Sequence, residues 1–316
     1  MAKNSRNVSG NPAKRGTTKA PPPKPVTFGD WVGAARLRTL PLAVTPVVIG
    51  TGAAVLADVD RQFHWVIALF CLAVSVLLQI GVNFANDYSD GIRGTDDLRV
   101  GPARITGSKR VPAKTVLIVA LTFFGLAALA GLAIVIRTGQ WWMIAVGALC
   151  IVAAWFYTGG RRPYGYNALG EVFVFVFFGL VATLGTTWVQ ALYLPQEAWF
   201  GAVAAGFLAC AVLLANNLRD IEQDRAAGKR TLSVIIGPLG TKILYTLLVA
   251  AAYGIAAFIA LLYPIAWLCF FGLVAVGPAI AIVWSFRVPR ELVTALALTS
   301  ISSPIYGIFL AWSFVG

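Results

Sequence analysis

The sequence predicts an all-α, polytopic membrane protein, a bundle of nine transmembrane helices with no separate soluble domain. Three observations predict it. Hydrophobic residues make up 59% of the 316 and charged residues only 12%. A soluble domain is about 45–50% apolar and about 25% charged, so this much apolar surface cannot be hidden in one water-facing fold. Apolar runs long enough to cross a hydrocarbon core of about 30 Å, which takes about 20 helical residues, recur along the chain. Lys and Arg gather in alternate links, as they do in cytoplasmic loops. The same composition excludes a disordered chain and a nucleic-acid binder, even though the formal charge is +12.

The elements follow in chain order. Residues 1–28 carry Lys3, Arg6, Lys14, Arg15, Lys19, Lys24 and the run Pro21-Pro22-Pro23. A basic, Pro-rich stretch of this kind is expected to be a disordered tail. The first apolar run begins only near Leu40, too far downstream for a cleavable signal peptide. Spans are expected at about 40–57, 64–86, 115–136, 141–158, 168–193, 198–218, 241–262, 265–286 and 292–315. The first is short unless its helix starts before Leu40, and the seventh and eighth are divided at Tyr263-Pro264. Residues 29–316 thus form one transmembrane unit. Its scattered glycines suit close helix packing in lipid.

Cys71, Cys150, Cys210 and Cys269 all lie inside apolar runs and form no C-x-x-C, and His64 is the single histidine. They read as packing and interfacial residues, which leaves zinc, disulfide and Ser-His-Asp chemistry without support. Chemistry therefore rests on Asp, Asn, Arg, Lys and Tyr, with a metal.

Two links are long, 87–114 and 219–240. With the N-terminus in the cytoplasm both fall on the cytoplasmic side, together with all but two, Arg61 and Arg137, of the 25 Lys and Arg residues. Nine spans then place the C-terminus outside. One strongly basic face results, suited to the anionic leaflet of a bilayer and to an anionic substrate.

Each long link opens on an acid-rich motif, and the two align: Ala85-Asn86-x-x-x-Asp90 against Ala215-Asn216-x-x-x-Asp220. If the helices continue through the motifs, Asn83, Asp87 and Asp90 share a face, as do Asn86 and Asp90, and so do Asn216, Asp220 and Asp224. Two carboxylate stripes at neighbouring helix ends repel unless a divalent cation lies between them. Mg²⁺ prefers oxygen ligands and shares its shell between one or two carboxylates and substrate phosphates. A diphosphate bridged by Mg²⁺ fits both motifs, with Arg93, Arg104, Lys109, Arg219, Arg225, Lys229 and Arg230 near enough in sequence to neutralise the rest of its charge. The plainer alternative is a set of solvated loop carboxylates paired with loop bases, with Asn83 and Asn217 acting only as helix-to-helix hydrogen-bonding groups.

Five stretches then carry a resemblance: Arg36 to Pro41, Gly81 to Asp97, Arg99 to Thr106 with its Gly101-Pro102, Tyr157 to Tyr166, and Asn216 to Leu232. On these residues the chain resembles the UbiA superfamily of intramembrane aromatic prenyltransferases. Within it the chain is most similar to the dihydroxynaphthoate polyprenyltransferases of menaquinone synthesis, in their actinobacterial form. The resemblance implies transfer of a polyprenyl group from polyprenyl diphosphate to 1,4-dihydroxy-2-naphthoate, with loss of CO₂ and diphosphate, giving demethylmenaquinone at the cytoplasmic face of a bacterial plasma membrane. It implies two Mg²⁺ ions held by Asn86, Asp87, Asp90, Asp96, Asp220 and Asp224, with Asp97 as an alternative to Asp96. Asp87, Asp90, Asp220 and Asp224 would then be catalytic. Tyr157 and Thr158 would lie near the reacting centre, where a phenol face stabilises a cation. Glu171, an ionisable group at the start of a span, joins the catalytic set as a functional candidate. Asn83, Asn86, Arg104, Lys109, Asn216, Asn217, Arg225 and Lys229 would bind substrate. Arg161 and Arg162 would grip diphosphate or the acceptor carboxylate, and Arg36 and Arg38 would either face the acceptor or anchor the first span, Arg38 being assigned to substrate.

One departure matters. The broad first motif is N-x-x-x-D-x-x-x-D, but its third place here is Gly94, and an acid returns only at Asp96. The naphthoate-type group shares that irregularity, which favours naphthoate over homogentisate or 4-hydroxybenzoate. A secondary transporter, the alternative from another class, would place its polar residues near the bilayer midplane on broken helices. Here they gather at one face.

Overall fold

A computed structural model describes residues 25–58, 60, 62–94 and 105–316. Residues 1–24 of the expected tail lie outside it, as do Asp96, Asp97 and Arg104. The helices are α1 (Phe28–Ala34), α2 (Pro41–Ala57), α3 (Trp65–Arg93), α4 (Ala113–Thr138), α5 (Met143–Phe156), α6 (Gly170–Ala191), α7 (Gln196–Ala226), α8 (Leu232–Ala260), α9 (Pro264–Ser285) and α10 (Pro289–Val315).

An apolar helix occupies each expected run. Among the described residues 7 are long and apolar enough to cross a membrane unaided, and α1 with α2, bent by 45° at their break, make an eighth. The ninth, α5, has 14 residues, a rise of about 21 Å. It is shorter than a hydrocarbon core, and its run is completed by turns at Trp141-Trp142 and Tyr157-Thr158.

The break before α2 has a local cause. Arg36 takes left-handed backbone (φ 56°), Leu37–Thr39 form a single tight turn, and Pro41 opens α2 at a position where its missing N–H costs nothing. So the first helix does begin before Leu40, as a short capped piece in which Thr27 and Asp30 form a capping box.

α3 and α7 run further than their apolar stretches. α3 passes the expected end at 86 and stops at Gly94, whose left-handed backbone (φ 71°) lets its N–H reach the carbonyls of Asp90 and Gly91. The missing third acid of the first motif is therefore a helix cap, a position that favours glycine. α7 passes 218 and ends before Gly228 (φ 73°). α8 starts at Leu232 rather than 241, capped by Thr231, and kinks at Gly237-Pro238.

α7 is the axis of the bundle and is buried along most of its span. Its small residues let neighbours approach. At the α6 crossing a Cβ on Gly179 would stand 2.7 Å from the Ala202 carbonyl, and one on Gly206 would stand 2.6 Å from the Phe175 ring. There α6 widens into a π-helical turn, Phe175–Val181, a feature frequent at functional sites. α3 and α4 form a second packed pair around Phe84, Ala85, Val116, Ala120 and Phe124.

Candidate active site

Between α2, α3, α4, α5, α6 and α7 lies one long cavity of about 650 Å³. It reaches from the level of Cys71 to that of Asp90 on α3, a rise of about 28 Å along the helix. Its body is apolar, walled by Leu78, Val82, Leu132, Phe177, Val181 and Leu213. Its head is polar, and Asp90 of α3 and Asp220 and Asp224 of α7 meet there.

The helical continuation past 86 and 218 aims these side chains. Asn86 and Asp90, one turn apart, both line the head, as do Asn216, Asp220 and Asp224 on α7. Asp90 is 1% exposed and Asp220 6%. Tyr166 donates its hydroxyl to Asp90. Lys229 Nζ lies 3.3 Å from Asp90 and 4.0 Å from Asp224, and so ties the two motifs together. It also sits 4.5 Å from the centre of the Tyr166 ring, a cation–π distance. Arg219 folds back on Asp220 with two bonds of 2.7 and 2.6 Å and reaches Asn216 at 2.8 Å. Thr158 donates its hydroxyl to Asn86 Oδ1 at 2.6 Å.

A backbone contact explains why Lys229 arrives here. The Arg230 N–H bonds the Tyr166 carbonyl at 2.9 Å, joining the turn after α7 to the segment before α6. Arg93 works from the other side. Its guanidinium donates to the carbonyls of Thr158 and Gly160, fixing the end of α5 against α3. Tyr157 lines the cavity edge-on to Tyr164, which stacks on Phe173 at 3.8 Å. Burial pushes the Tyr164 phenol above its ordinary range, and it donates to the Ala153 carbonyl at 2.7 Å.

Of the expected site residues, Asn83, Asn86, Asp90, Tyr157 and Thr158 line the cavity, and so do Asn216, Asn217, Asp220, Asp224 and Lys229. Others do not. Asp87 is buried away from it, with both carboxylate oxygens taken by the N–H groups of Ile105 (3.0 Å) and Thr106 (2.9 Å). It holds a loop, not a ligand. Glu171 is buried behind the wall, accepting from Asn217 at 2.9 Å. Arg38, Lys109, Arg161, Arg162 and Arg225 are exposed and line no part of the cavity, and Arg225 pairs with Glu222. Asp96 and Arg104 fall outside the described residues. Sequence reasoning missed Tyr166 and Gln79, and it chose Arg38 where the left-handed turn presents Arg36 to the cavity. Tyr166 stood inside one of the five family-like stretches, the one signal that could have found it.

Among the described residues, the atoms at the head that could ligate a cation are oxygens, from three carboxylates and the amides of Asn86 and Asn216, with the Lys229 ammonium beside them. Among the described residues no three His, Cys, Asp or Glu side chains converge enough to hold a metal by themselves. The set fits a hard cation that takes the rest of its shell from a ligand phosphate, the usual habit of Mg²⁺.

Comparison with known proteins places this architecture. Residues 44–311 match the model of the UbiA prenyltransferase family. The 1,4-dihydroxy-2-naphthoate octaprenyltransferase of Mycobacterium tuberculosis is 49% identical over 288 residues, covering 90% of this chain and 96% of that one. Among solved structures, the apo UbiA homologue from Aeropyrum pernix K1 matches with a TM-score of 0.64 at 15% identity, over 86% of this chain and 96% of that one. The UbiA homologue from Archaeoglobus fulgidus bound to DMAPP and Mg²⁺ matches at 0.56 and 14% identity, over 90% and 99%. At such identities these two are likenesses of fold.

Proposed function

The chain belongs to the UbiA prenyltransferase family, and from that premise we propose that it transfers a polyprenyl group from polyprenyl diphosphate to 1,4-dihydroxy-2-naphthoate. CO₂ and diphosphate leave, and demethylmenaquinone forms in its hydroquinone state. The observation that carries this reading is the meeting of two acid-bearing helix ends at the polar head of a cavity whose remaining length is apolar. The head suits a diphosphate and the body suits an isoprenoid tail. The Mycobacterium tuberculosis relative supports the choice of acceptor.

In this reading Asn86, Asp90, Asn216, Asp220 and Asp224 would hold Mg²⁺, two ions in all. Bound Mg²⁺ supplies positive charge to the leaving group. Lys229, between the two motifs, is positioned to add its own charge to that oxygen cluster. Departure of diphosphate leaves an allylic cation at C1 of the prenyl chain. Tyr157, Tyr164 and Phe173 line the cavity, and in this reading their rings stabilise that cation. The apolar body keeps out water that would quench it. The ring carbon bearing the carboxyl attacks C1, the carboxyl leaves as CO₂, and its bonding pair restores the aromatic ring. Arg36, at the cavity wall, is placed to meet the acceptor carboxylate.

We assign the head to the cytoplasmic face of a bacterial plasma membrane, with the N-terminus inside and the C-terminus outside, because all but two of the Lys and Arg residues fall on that side. Residues 29–316 then form the catalytic unit and residues 1–28 its tail. The test is direct. Asp90→Ala and Asp220→Ala should each abolish Mg²⁺-dependent prenyl transfer while folded protein remains in the membrane. Full activity in both, or activity that survives complete chelation, would sink the reading.

A further inference from the structure

Ser75, Gln79 and Asn83 stand one turn apart on α3 and make a ladder. They donate to the carbonyls of Ala43 (2.9 Å), Thr39 (2.6 Å) and Ala35 (2.9 Å) respectively. As the donors advance by four residues the acceptors recede by four, so the ladder runs between antiparallel segments. Ala35 and Thr39 flank the left-handed break at Arg36, where helical bonding lapses and carbonyls need outside partners.

The ladder fixes the orientation of the Gln79 amide. A carbonyl only accepts, so Nε2 faces Thr39 and Oε1 is left for another partner. The residue is 6% exposed, and Oε1 is buried with no donor. Several buried side-chain oxygens among the described residues lack a donor, but Gln79 alone of their owners lines the cavity. A buried acceptor without a donor is costly and calls for explanation.

The missing donor is an O–H or N–H. A polyprenyl tail carries neither, and an ionised diphosphate only accepts. The hydroxyls of a dihydroxy aromatic ring are donors.

We propose that Gln79 is a specificity-determining residue of the acceptor subsite, taking a hydrogen bond from a ring hydroxyl of the dihydroxynaphthoate. The proposal rests on the function proposed above and names how that site tells the diol from its monohydroxy analogues.

The test is a cycle of variant against acceptor in reconstituted full-length protein, with polyprenyl diphosphate and Mg²⁺ held fixed. 1,4-Dihydroxy-2-naphthoate and its two monohydroxy analogues compete for the site, and their inhibition constants are compared. The wild type should favour the diol over one monohydroxy analogue by at least about tenfold. Gln79→Met should bring that ratio to about one, with the KM for polyprenyl diphosphate unchanged. At a pH that keeps it protonated, Gln79→Glu has both a donor for Thr39 and an acceptor oxygen, and it should retain the preference. Should Gln79→Met fail to accumulate, Gln79→Lys keeps an N–H toward Thr39 but offers no acceptor, and it should lose the preference too. Wild-type discrimination persisting in the Met or Lys variant overturns the role of Gln79 and leaves the proposed reaction standing. Absence of any prenylated naphthoate from wild-type protein overturns the reaction itself.

Discussion

Replacing Lys229 by Met keeps most of the apolar stem and removes the charge that joins the two acidic motifs. That charge stands 3.3 Å from Asp90 and 4.0 Å from Asp224, and the three side chains are 12%, 2% and 14% exposed. At an effective dielectric of about 20 the two attractions amount to about 5 and about 4 kcal/mol before desolvation. Desolvation cancels much of this, and removing one partner of a buried ion pair costs about 3–5 kcal/mol net. In chelator, Lys229→Met should therefore be less stable than wild type by about that amount. Mg²⁺ should act in opposite measure on the two proteins. In the wild type it competes with the ammonium for the same carboxylates, and in the variant that competition is gone. A site filled at 100 times its Kd stabilises by about 2.7 kcal/mol, so saturating Mg²⁺ should restore most of the loss. Relief of competition worth about 1.4 kcal/mol would tighten Mg²⁺ binding tenfold. The assay is thermal unfolding of both proteins in detergent across a Mg²⁺ titration, with inorganic diphosphate held fixed. A variant that unfolds like wild type in chelator, or whose Mg²⁺ response matches wild type, refutes the account of Lys229 as the cation between the motifs.

Two further expectations separate roles that the sequence alone runs together. Asp87→Asn replaces one of two backbone-accepting oxygens by an NH₂ that faces an N–H. It should loosen the loop at 105–110 by about 1–3 kcal/mol, seen as faster proteolysis there, while prenyl transfer falls far less than in Asp90→Asn. Equal loss of activity in the two variants with the loop still protected would return Asp87 to the metal site. For topology, a phosphatase fused after Gly316 should be active only outside the cytoplasm, and a fluorescent protein at the same place should stay dark. The reverse pattern would invert the assigned orientation.

Hydropathy located the core of each helix from α2 to α10 but not the short α1, and the alignment of Asn86 and Asp90 with Asn216 and Asp220 located the head of the cavity. Both are local signals. A span of apolar residues and a pair one turn apart carry their meaning wherever the rest of the chain goes. The ends of α3 and α7 were less legible, because hydropathy stops registering a helix where it leaves the apolar layer, while backbone bonding continues to Gly94 and Ala227. Asp87 shows the limit within a motif. It lies between Asn86 and Asp90 on the same helix, and only the return of Ile105 and Thr106, 18 and 19 residues further on, decides that its oxygens are spent on backbone. Arg36 shows the limit set by backbone. A left-handed arginine has no signature in periodicity, so its neighbour Arg38 is an equally good choice until φ is known.

The basic residues divide for a related reason. Their count along the links predicts a face, and a face predicts steering of anions rather than contact with them. Arg38, Lys109, Arg161, Arg162 and Arg225 are exposed. In about 0.15 M salt their influence fades over about 8 Å, which is enough to enrich an anionic lipid or diphosphate near the surface and too little to orient it in the cavity. Lys229 and Arg219 lie inside, against Asp90, Asp224 and Asp220. There the medium is less polarisable, and each charge is balanced by a carboxylate of the kind that would hold a metal. An incoming diphosphate with its cations therefore exchanges partners with groups already paired, and the acidic stripes need not stand unshielded before it arrives. This is why the two interior cations, indistinguishable by sequence from the exposed ones, are the ones whose removal should change metal binding.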